Sequence, residues 1–425
     1  MTILTKIGQE ITMYTDLLKV FYSDKDNYER VFETRYQDPY AIHLDFLIGT
    51  NQAFFLPLPE LLISIGNIRR IDKSIYILTN ALPGEAMQQF VRRCLVDEIE
   101  LTNGIEGVHS SRREIRDLLI DMEKKNTHKR FWGIVNKYYL LMNKEQLPLE
   151  TCEDIRAIYN ELVYAEIYKD DPDSIPDGML FRKAGATVTT ATQRSIHRGL
   201  FPEQTIILAM EKALHILHDE SLDVFFRISA FHYFFGYIHP FYDGNGRTSR
   251  FISSYLLSQV LEPIIGYRLS YTIRENLQEY YAAFNTCNNP ANRGDITPFL
   301  IMLIGIIEKS MVLLEKALIR RKGEYVKYCE VIPSLHKGME GQAAELYNLL
   351  IQAGLFSDEG ISLRNLMDTL SISRQTLRKR LRELDQELLI EHRIASEKHY
   401  QIDISKLNQL LLVQQRAKNN QLSLF

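Results

Sequence analysis

The sequence has little cysteine, no excess of charge of one sign and no long hydrophobic run, and each absence excludes a class of protein. Four cysteines are scattered over 425 residues without a CxxC pair, so they indicate neither a disulfide framework nor a zinc site and fit a reducing compartment. The 50 Lys and Arg residues nearly balance the 54 Asp and Glu residues, and a net charge of -4 indicates no nucleic-acid or membrane partner for the chain as a whole. The most apolar stretch, Phe299–Ile307, has about half of the ~20 residues that a membrane helix needs, and the polar N-terminus is unlike a signal peptide. We therefore expect a cytoplasmic protein without a membrane span.

The composition itself is that of a soluble globular protein with more than one domain. Hydrophobic residues make up 45% of the chain and charged residues 24%, which supplies enough apolar material for a core. A chain of 425 residues predicts roughly two to three domains at ~150 residues each. Apolar residues recur at helical spacing through most of the chain, so we predict a mainly α-helical fold. The exception is the segment 181–202, where glycine and proline flank β-branched residues and predict a short β-hairpin.

Two further patterns predict how the chain is organised. The stretch 222–238 is apolar on almost every side, which predicts the buried central helix of a bundle. Charged residues become dense after 308 and a polar stretch follows at 333–341, so we place a domain boundary near 320–340. The predicted division is an N-terminal segment of unknown role (1–54), a helical region (55–110), a core (111–320), a small C-terminal domain (340–402) and a tail (403–425).

The segment His239–Arg250, HPFYDGNGRTSR, joins the apolar helix to the next one and has the composition of an anion site. Gly244 and Gly246 let the backbone turn tightly and approach a ligand closely. A glycine-containing turn that enters a helix N-terminus presents free N–H groups and the positive end of the helix dipole. Arg247 and Arg250 add positive charge with forked donors suited to phosphate. The segment therefore predicts a site for a polyphosphate.

Two other side chains of the same segment bring reactive chemistry to that site. Asp243, beside the turn, is placed to hold a hard cation such as Mg²⁺. His239, at the other end of the turn, accepts a proton near neutral pH. A base, a metal carboxylate and a polyphosphate cradle together describe the attack of a hydroxyl on a nucleotide phosphate.

The residues HPFYDGNGR, with Arg250 three positions on, are similar to the active-site signature of the Fic (Fido) family of nucleotidyltransferases. The resemblance covers roughly residues 55–310 and implies a Fic-type helical bundle with a β-hairpin flap. It also implies transfer of AMP from ATP to a Ser, Thr or Tyr hydroxyl of a target protein, with release of pyrophosphate and with Mg²⁺ as cofactor. A homodimer through the helical core is a further implication of the resemblance. Under it, residues 111–320 become the catalytic core.

The resemblance assigns a role to each residue of the segment. The implied roles are general base for His239, Mg²⁺ ligand for Asp243, anion hole for Gly244, Asn245 and Gly246, phosphate binding for Arg247, γ-phosphate binding for Arg250, core anchor for Phe241, and nucleotide contacts for Tyr281 and Asn288. Kinase-like toxins of the superfamily carry Lys where this chain has Gly246, so AMP transfer is favoured over phosphoryl transfer. The segment Pro290–Arg293 departs from the compact asparagine-glycine-aspartate end that is common on the nucleotide side.

Upstream, Thr102–Gly107 reads TNGIEG and resembles the inhibitory motif of the same family, (Ser/Thr)xxxE(Gly/Asn). In such members the glutamate pairs with the second arginine and keeps the γ-phosphate from docking productively. Here that pair is Glu106 with Arg250, and a bidentate carboxylate competes well with phosphate for the same donors. In some members the glutamate also supports removal of AMP from the target. The sequence does not decide whether this chain only adds AMP or also removes it.

The predicted hairpin occupies the position of the family's flap, which holds the target segment by strand addition. The matching residues are Phe181, Arg182, Thr187 to Thr190 and His197.

The C-terminal domain predicts helix, helix, basic helix and hairpin, which is the layout of a winged helix. It resembles the winged helix-turn-helix tails of many bacterial Fic proteins. Arg374, Arg378 and Lys379 lie on the basic helix, and the row from Arg374 to Arg382 contains no acidic residue. Contact with DNA, contact with a protein and an ordinary solvated face all remain open for this row.

Three functions follow from these patterns. The first is an ATP-dependent protein adenylyltransferase that is inhibited by its own Glu106. The second is a DNA-binding regulator whose Fic core senses a nucleotide with little turnover. The third is transfer of another phosphate-linked group, such as phosphocholine, through the same core.

Overall fold

The computed structural model describes residues 14–121, 129–142, 145–189, 195–335, 342–394 and 397–422. The chain divides into two compact units, each built from several segments. Unit 1 consists of Met1–Arg70, Glu98–Ser111 and Leu118–Ser310, and unit 2 of Ile71–Asp97, Arg112–Asp117 and Met311–Phe425. The mainly helical fold with small antiparallel sheets is the predicted class.

The chain begins with a small helix–hairpin module in unit 1. Its elements are α1 (Leu17–Ser23), α2 (Lys25–Tyr36), β1 (Ile42–Ile48) and β2 (Asn51–Phe55). The two strands are antiparallel, and the buried ring of Phe54 packs against the helices. The amide of Phe54 donates to the carbonyl of Gly294, and the amide of Ile296 donates to the carbonyl of Phe54. The sequence left the role of the N-terminal segment unknown. In the structure this segment packs against the loop that contains Gly294 and Ile296.

Most of the chain that follows is helical. The next helices are α3 (Pro59–Asn80), α4 (Gly84–Ile105), α5 (Arg112–Asp121), α6 (Trp132–Met142), α7 (Cys152–Tyr159) and α8 (Ala165–Asp170), with a π-helical turn at Asn160–Tyr164 between the last two. A hairpin of β3 (Thr187–Thr189) and β4 (Ser195–Arg198) comes next. Unit 1 continues with α9 (Glu203–His218), α10 (Val224–Ile238), α11 (Asn245–Val260), α12 (Leu269–Glu275) and α13 (Leu277–Asn288).

Helix α10 is the centre of unit 1. Its residues Phe225, Phe231, Phe234 and Phe235 are almost completely buried, which confirms the predicted central helix. Helices α9 and α11 pack on it. Because α10 is buried on all sides, the turn at its C-terminal end is held rigidly.

The predicted β-hairpin is confirmed, although its strands are short. Thr187 pairs with Arg198 and Val188 with His197. Thr190, which belongs to the predicted flap, lies outside the described residues. The base of the hairpin is fixed by Glu203, which accepts hydrogen bonds from the amides of residues 179, 180 and 181.

Unit 2 contains the C-terminal domain. Its elements are the later part of α14 (Thr297–Cys329), then α15 (Ile332–Leu335), α16 (Ala343–Phe356), β5 (Ile361–Ser362), α17 (Leu363–Leu370), α18 (Arg374–Glu383), β6 (Leu389–Ile394), β7 (Glu397–Ile402) and α19 (Ile404–Leu422). The strands form one antiparallel sheet in the order β5–β7–β6. Ser373 caps α18 by accepting a hydrogen bond from the amide of Thr376. The predicted basic helix and hairpin are therefore present in the predicted order.

Helix α14 differs from the prediction that no segment is long enough to cross a membrane. Among the described residues it is the one helix that is long and apolar enough to cross a membrane. In the protein, 56% of its most apolar stretch is buried. A buried core helix of a soluble protein meets the same requirement.

Candidate active site

The site is built on the turn between α10 and α11. His239 ends α10 in a left-handed conformation with φ of 52°, and Gly244 takes φ of 80° directly before α11. The side chain of Asn245 brackets the turn, because its Oδ1 accepts from the amide of Phe241 at 2.9 Å and its Nδ2 donates to the carbonyl of Phe241 at 2.8 Å. These two bonds close the loop and aim the N-terminus of α11 at the same space that His239 faces.

Phe241 anchors the turn from below. Its ring is fully buried, stacks on Tyr159 at a centroid distance of 3.8 Å and meets the edge of Phe181 at 5.6 Å. A buried aromatic cluster of this kind resists displacement because moving one ring opens a cavity. The sequence-based role of Phe241 as a core anchor agrees with this packing.

A pocket opens above the turn. The residues that line it are Glu106, His197, Gly236, His239, Asn245, Gly246, Ser249, Arg250, Tyr280, Tyr281, Phe284 and Asn288. All of them belong to unit 1. The structure therefore brings together His239, the start of α11, Arg250, Glu106 and both predicted nucleotide contacts.

His239 faces this pocket with only part of its surface. Burial, followed by the positive charge of Arg182 and then by His197, lowers the pKa of His239 well below the ordinary value of a histidine. A lowered pKa keeps the imidazole neutral at physiological pH, and the neutral ring is the form that accepts a proton.

Arg250 is held by two residues of the segment TNGIEG. Its Nη2 lies 2.8 Å from Oε1 of Glu106, which is the predicted pair. Its Nε donates to Oγ1 of Thr102 at 2.8 Å, and Nη2 also donates to the carbonyl of Thr102 at 3.0 Å. Arg250 is only 1% exposed, so its charge acts in a poorly solvated place.

The carboxylate of Glu106 also lies directly over Gly246. A Cβ atom at Gly246 would come 2.1 Å from Oε1 of Glu106, so a glycine is required for this approach. The carboxylate thus occupies space beside the N-terminus of α11, where that helix end attracts negative charge.

Arg247 is placed differently from its predicted role as a phosphate ligand. Its side chain is fully buried and does not line the pocket. Its Nη1 lies 2.7 Å from Oε1 of Glu166, and its Nη2 lies 3.4 Å from Oδ2 of Asp243. Burial raises the pKa of Glu166 even though Arg247 opposes the shift. The described contacts of Arg247 therefore hold the turn and Asp243 in place.

Asp243 has the chemistry of a hard-cation ligand but stands alone. Its Oδ1 accepts from the amide of Gly244, and its side chain is 45% exposed. Among the described residues there is no cluster of three His, Cys, Asp or Glu side chains that could hold a metal by themselves. Mg²⁺ is commonly bound through one or two carboxylates together with substrate phosphates and water, so this single exposed carboxylate fits that mode.

One wall of the pocket is formed by α13. Tyr281 and Asn288 both line the pocket, and the hydroxyl of Tyr233 donates to Oδ1 of Asn288 at 2.9 Å. The segment Pro290–Arg293 differs from the asparagine-glycine-aspartate pattern described above. It forms a 3₁₀ turn that ends with Arg293 in a left-handed conformation. Behind it, the buried Asp295 accepts a hydrogen bond from Tyr14 at 2.6 Å. Residues from the N-terminal module thus support the loop that follows Asn288.

The geometry agrees with comparisons to known proteins. A sequence model described as the Fic/DOC family matches residues 149–257, a range that includes the turn and the start of α11. Over residues 149–257 the chain is therefore similar to the Fic/DOC family. The matched range begins after Glu106 and ends before Tyr281 and Asn288.

Individual relatives are distant and match only part of their length. The protein adenylyltransferase Fic of Drosophila persimilis is 34% identical over 101 residues, which are 24% of this chain and 18% of that protein. The protein of the same name from Drosophila grimshawi is 33% identical over 109 residues, which are 25% of this chain and 21% of that protein. The chain thus spans about a fifth of the length of these curated relatives.

The similarity to solved structures is also distant. A Fic family protein from Desulfovibrio desulfuricans G20 has a TM-score of 0.47 and 20% identity, covering 81% of this chain and 96% of that one. A form of Fic-1 from C. elegans has a TM-score of 0.42 and 18% identity, covering 72% of this chain and 81% of that one.

Two further histidines of unit 1, His197 and His232, have different surroundings. His197 lies on β4, lines the pocket and bonds through Nε2 to the carbonyl of Tyr237 at 2.8 Å. His232 is fully buried between Ser253 and Tyr280, and burial lowers its pKa to about 3. His232 is therefore a core residue.

The predicted DNA-contact residues lie in unit 2, outside the range 149–257 that the family model matches. Arg374, Arg378 and Lys379 are exposed on α18, and Leu377 and Leu381 are buried on its other side. Within the described part of the chain, the one ion pair of these three cations joins Lys379 to Glu383 at 3.9 Å. The row is therefore a solvent-facing basic surface.

Four residues of the site are not predicted by the sequence patterns or have a different place from the predicted one. Thr102 was noticed only as part of a motif, yet it holds Arg250. Glu166 gave no signal at all, because an acidic residue in a helix is ordinary until its partner is known. Arg182 was assigned to the target-binding flap, but its side chain is fully buried beside His239. Tyr280 lines the pocket next to the predicted Tyr281, and its helical position alone did not distinguish the two.

Proposed function

We propose that this chain is a protein adenylyltransferase that transfers AMP from ATP to a hydroxyl side chain of a target protein and that Glu106 inhibits it. The observation that carries the proposal is one pocket in which His239, the N-terminus of α11 and Arg250 meet, with the carboxylate of Glu106 on Arg250. The family of residues 149–257 implies a transferase of nucleotidyl or phosphate-linked groups.

The neutral imidazole of His239 is the proposed base. It takes the proton of the attacking hydroxyl while the oxygen bonds to the α-phosphorus of ATP. The bond from that phosphorus to the pyrophosphate group then breaks, and pyrophosphate leaves. The low pKa of His239 keeps it unprotonated at neutral pH, so the base is ready before the target arrives.

The N-terminus of α11 is the proposed phosphate cradle. Asn245 and Gly246 line the pocket there, and the free amides of a helix N-terminus stabilise the negative charge that develops in the transition state. Arg250 adds a buried charge on the same side. Arg247 supports this arrangement from behind by holding Asp243.

Asp243 is the proposed ligand of Mg²⁺, with phosphate oxygens and water completing the coordination. When bound, the ion neutralises charge on the phosphates. The role of the protein there is to fix one carboxylate, which the amide of Gly244 and Arg247 both orient.

Inhibition follows from the competition for Arg250. While Glu106 occupies Nη2, a γ-phosphate has lost a partner, and the carboxylate over Gly246 repels phosphate from the cradle. A misplacement of the reacting phosphate by ~1 Å costs about a hundredfold in rate, so a modest shift suffices.

Labelling with two forms of ATP tests the proposal. The full chain and its Glu106→Gly variant are incubated with Mg²⁺ and with ATP labelled on either the α- or the γ-phosphate. Labelled protein from α-labelled ATP alone supports AMP transfer, whereas label from γ-labelled ATP indicates phosphoryl transfer. ATP binding without label from either form indicates a nucleotide sensor, and transfer from a phosphocholine-carrying nucleotide indicates the third hypothesis.

We also propose a DNA contact for the C-terminal unit, as a winged helix. The exposed basic row on α18 favours it, since a helix that enters the major groove presents such side chains to phosphates and base edges. A cytoplasmic setting belongs to the same proposal, supported by the four cysteines, none of which forms a disulfide in the described part of the chain.

A further inference from the structure

A buried arginine beside the catalytic turn has no role in the chemistry described above. Arg182 is 0% exposed and precedes the flap strands. Its Nε donates to the carbonyl of His239 at 2.8 Å, Nη2 donates to the carbonyl of Ile238 at 3.5 Å, and Nη1 donates to the carbonyl of Ala184. No carboxylate pairs with it among the described residues. A charged side chain that is buried on carbonyl oxygens alone is unusual, because burial of a charge is costly.

The carbonyls that Arg182 contacts belong to the end of α10. The last carbonyls of a helix have no partner within the helix. The backbone of Arg182 extends the contact by one residue, because its amide donates to the carbonyl of Pro240 at 3.1 Å. One residue thus holds three consecutive carbonyls, from Ile238 to Pro240. They span His239, whose left-handed conformation is unfavourable for a residue with a side chain.

A close approach at Gly199 fixes the arginine against the histidine. A Cβ atom at Gly199 would come 2.3 Å from Nη2 of Arg182 and 2.8 Å from Cβ of His239. The backbone at Gly199 is therefore packed against both side chains. Gly199 thus leaves room for both side chains next to each other, and a larger residue there would displace one of them.

The charge of Arg182 acts directly on His239. The charged and titratable groups around the imidazole are Arg182, His197 on β4, and Glu106 and Arg250 across the pocket. After burial, Arg182 is the largest influence that lowers the pKa of His239. Its positive charge opposes protonation of the ring.

We propose that Arg182 is a positioning residue for the transfer step: by holding the carbonyls of Ile238 and His239 it aims the His239 imidazole. The inference rests on the proposed function, because it concerns the base of that reaction. It changes the role expected from the sequence, since Arg182 acts on the base instead of on the target segment.

Variants of Arg182 in the Glu106→Gly chain test the inference through kinetics. Arg182→Gln removes the charge and most of the hydrogen bonds, so we expect kcat to fall about 10- to 100-fold while the KM for ATP changes less than about threefold. Arg182→Lys keeps the charge and should retain more activity. Arg156→Gln is the matched control, because Arg156 donates to the carbonyl of Leu180 in the same loop without touching the turn. It should keep kcat within about twofold, since no catalytic group depends on it.

An NMR titration of His239 separates this inference from the proposed function. It uses the chain with Glu106 intact and histidine labelled with ¹³C, and His239→Asn assigns the resonance. In Arg182→Gln the pKa of His239 should rise, and in Arg182→Lys it should rise less. If the Glu106→Gly chain transfers no AMP, the proposed function fails, yet the titration still decides whether Arg182 acts on His239. An unchanged titration in both Arg182 variants, with both proteins folded by circular dichroism, overturns the inference, as does an equal kcat for Arg182→Gln and the parent.

Discussion

Arg247 and Arg250 beside the pocket are almost wholly buried, and each faces a carboxylate. Arg374 and Arg378 on α18 stand in solvent, and no carboxylate of the described residues lies at ion-pair distance from them. All four lie on helices. The two pairs differ in the burial of their charge. A buried charge depends on its partner far more than an exposed one does. Substitutions in the pocket should therefore have large effects that salt hardly changes, and substitutions on α18 should have small effects that salt changes strongly.

The largest effect is expected for the base. His239→Ala in the Glu106→Gly chain should lower the rate of labelling about 10²- to 10⁴-fold, the range for loss of a general base, while ATP binding stays within about twofold. Initial rates with α-labelled ATP and calorimetric ATP binding measure the two quantities. His215→Ala, an exposed histidine of α9, is the control and should label like its parent. Equal labelling by the His239 variant would contradict its role as base.

The next effect is on stability. Glu166→Ala leaves the fully buried Arg247 without its closest carboxylate, so the free energy of unfolding should fall by about 3–5 kcal/mol. Urea unfolding measures it. Asp45→Ala removes the exposed partner of Lys212 and should cost no more than about 1 kcal/mol. Similar losses for the two variants would remove the contrast between buried and exposed pairs.

The next effect is on the rate of AMP transfer, through the release of inhibition by Glu106. Glu106→Gly should raise the initial rate of AMP transfer about a hundredfold, because it frees Arg250 and opens the space over Gly246. Thr102 still holds Arg250 in place in this variant. Arg250→Ala should not activate, since it deletes the phosphate partner together with the clamp. A folded Glu106→Gly protein that labels no faster than the parent would show that Glu106 is not inhibitory.

A smaller effect depends on pH. Glu98 is fully buried, and both of its oxygens accept from the amide of Ser270 at 2.9 Å. Burial raises its pKa from 4.5 to about 7, so between these values the folded protein binds a proton that the unfolded chain has lost. Stability should therefore decrease as the pH rises from 5 to 8, by about 1–3 kcal/mol for this group.

Glu98→Gln isolates that contribution. The amide does not titrate, so urea unfolding at pH 5 and pH 8 should differ less for the variant than for the parent. An equal pH dependence of the two proteins would mean that Glu98 titrates alike in the folded and unfolded states.

The smallest effects are expected on α18. If its basic row contacts DNA phosphates, the full chain should bind a mixed-sequence duplex with an affinity that falls steeply with salt. Each of Arg374→Gln, Arg378→Gln and Lys379→Gln should reduce the slope of log affinity against log salt by about 1. Fluorescence anisotropy measures this, and Arg320→Gln, an exposed residue of α14, is the control. No binding at low salt would leave this row as a protein contact or a solvated face.

Local patterns predicted much of the fold. The apolar stretch at 222–238 indicated a buried helix because no polar side was left for solvent, and α10 is that helix. The glycine- and proline-rich segment at 181–202 indicated a hairpin, and β3 and β4 form it. The N-terminal hairpin of β1 and β2 was missed, because its strands gain stability from the loop around Asp295, almost 250 residues away in sequence.

The sequence by itself determined the groups at the turn. A histidine, an aspartate and two glycines at the spacing of HPFYDGNGR define which base, which carboxylate and which amides are available, since adjacent residues cannot separate far in space. Only the tertiary structure decided how the charges are partnered. Arg247 meets Glu166 across 81 residues, Arg250 meets Thr102 across 148, and Arg182 meets His239 across 57. Such contacts depend on which buried helices and loops pack together. Burying a charge without a partner is costly, but which residue can serve as that partner is decided by the packing.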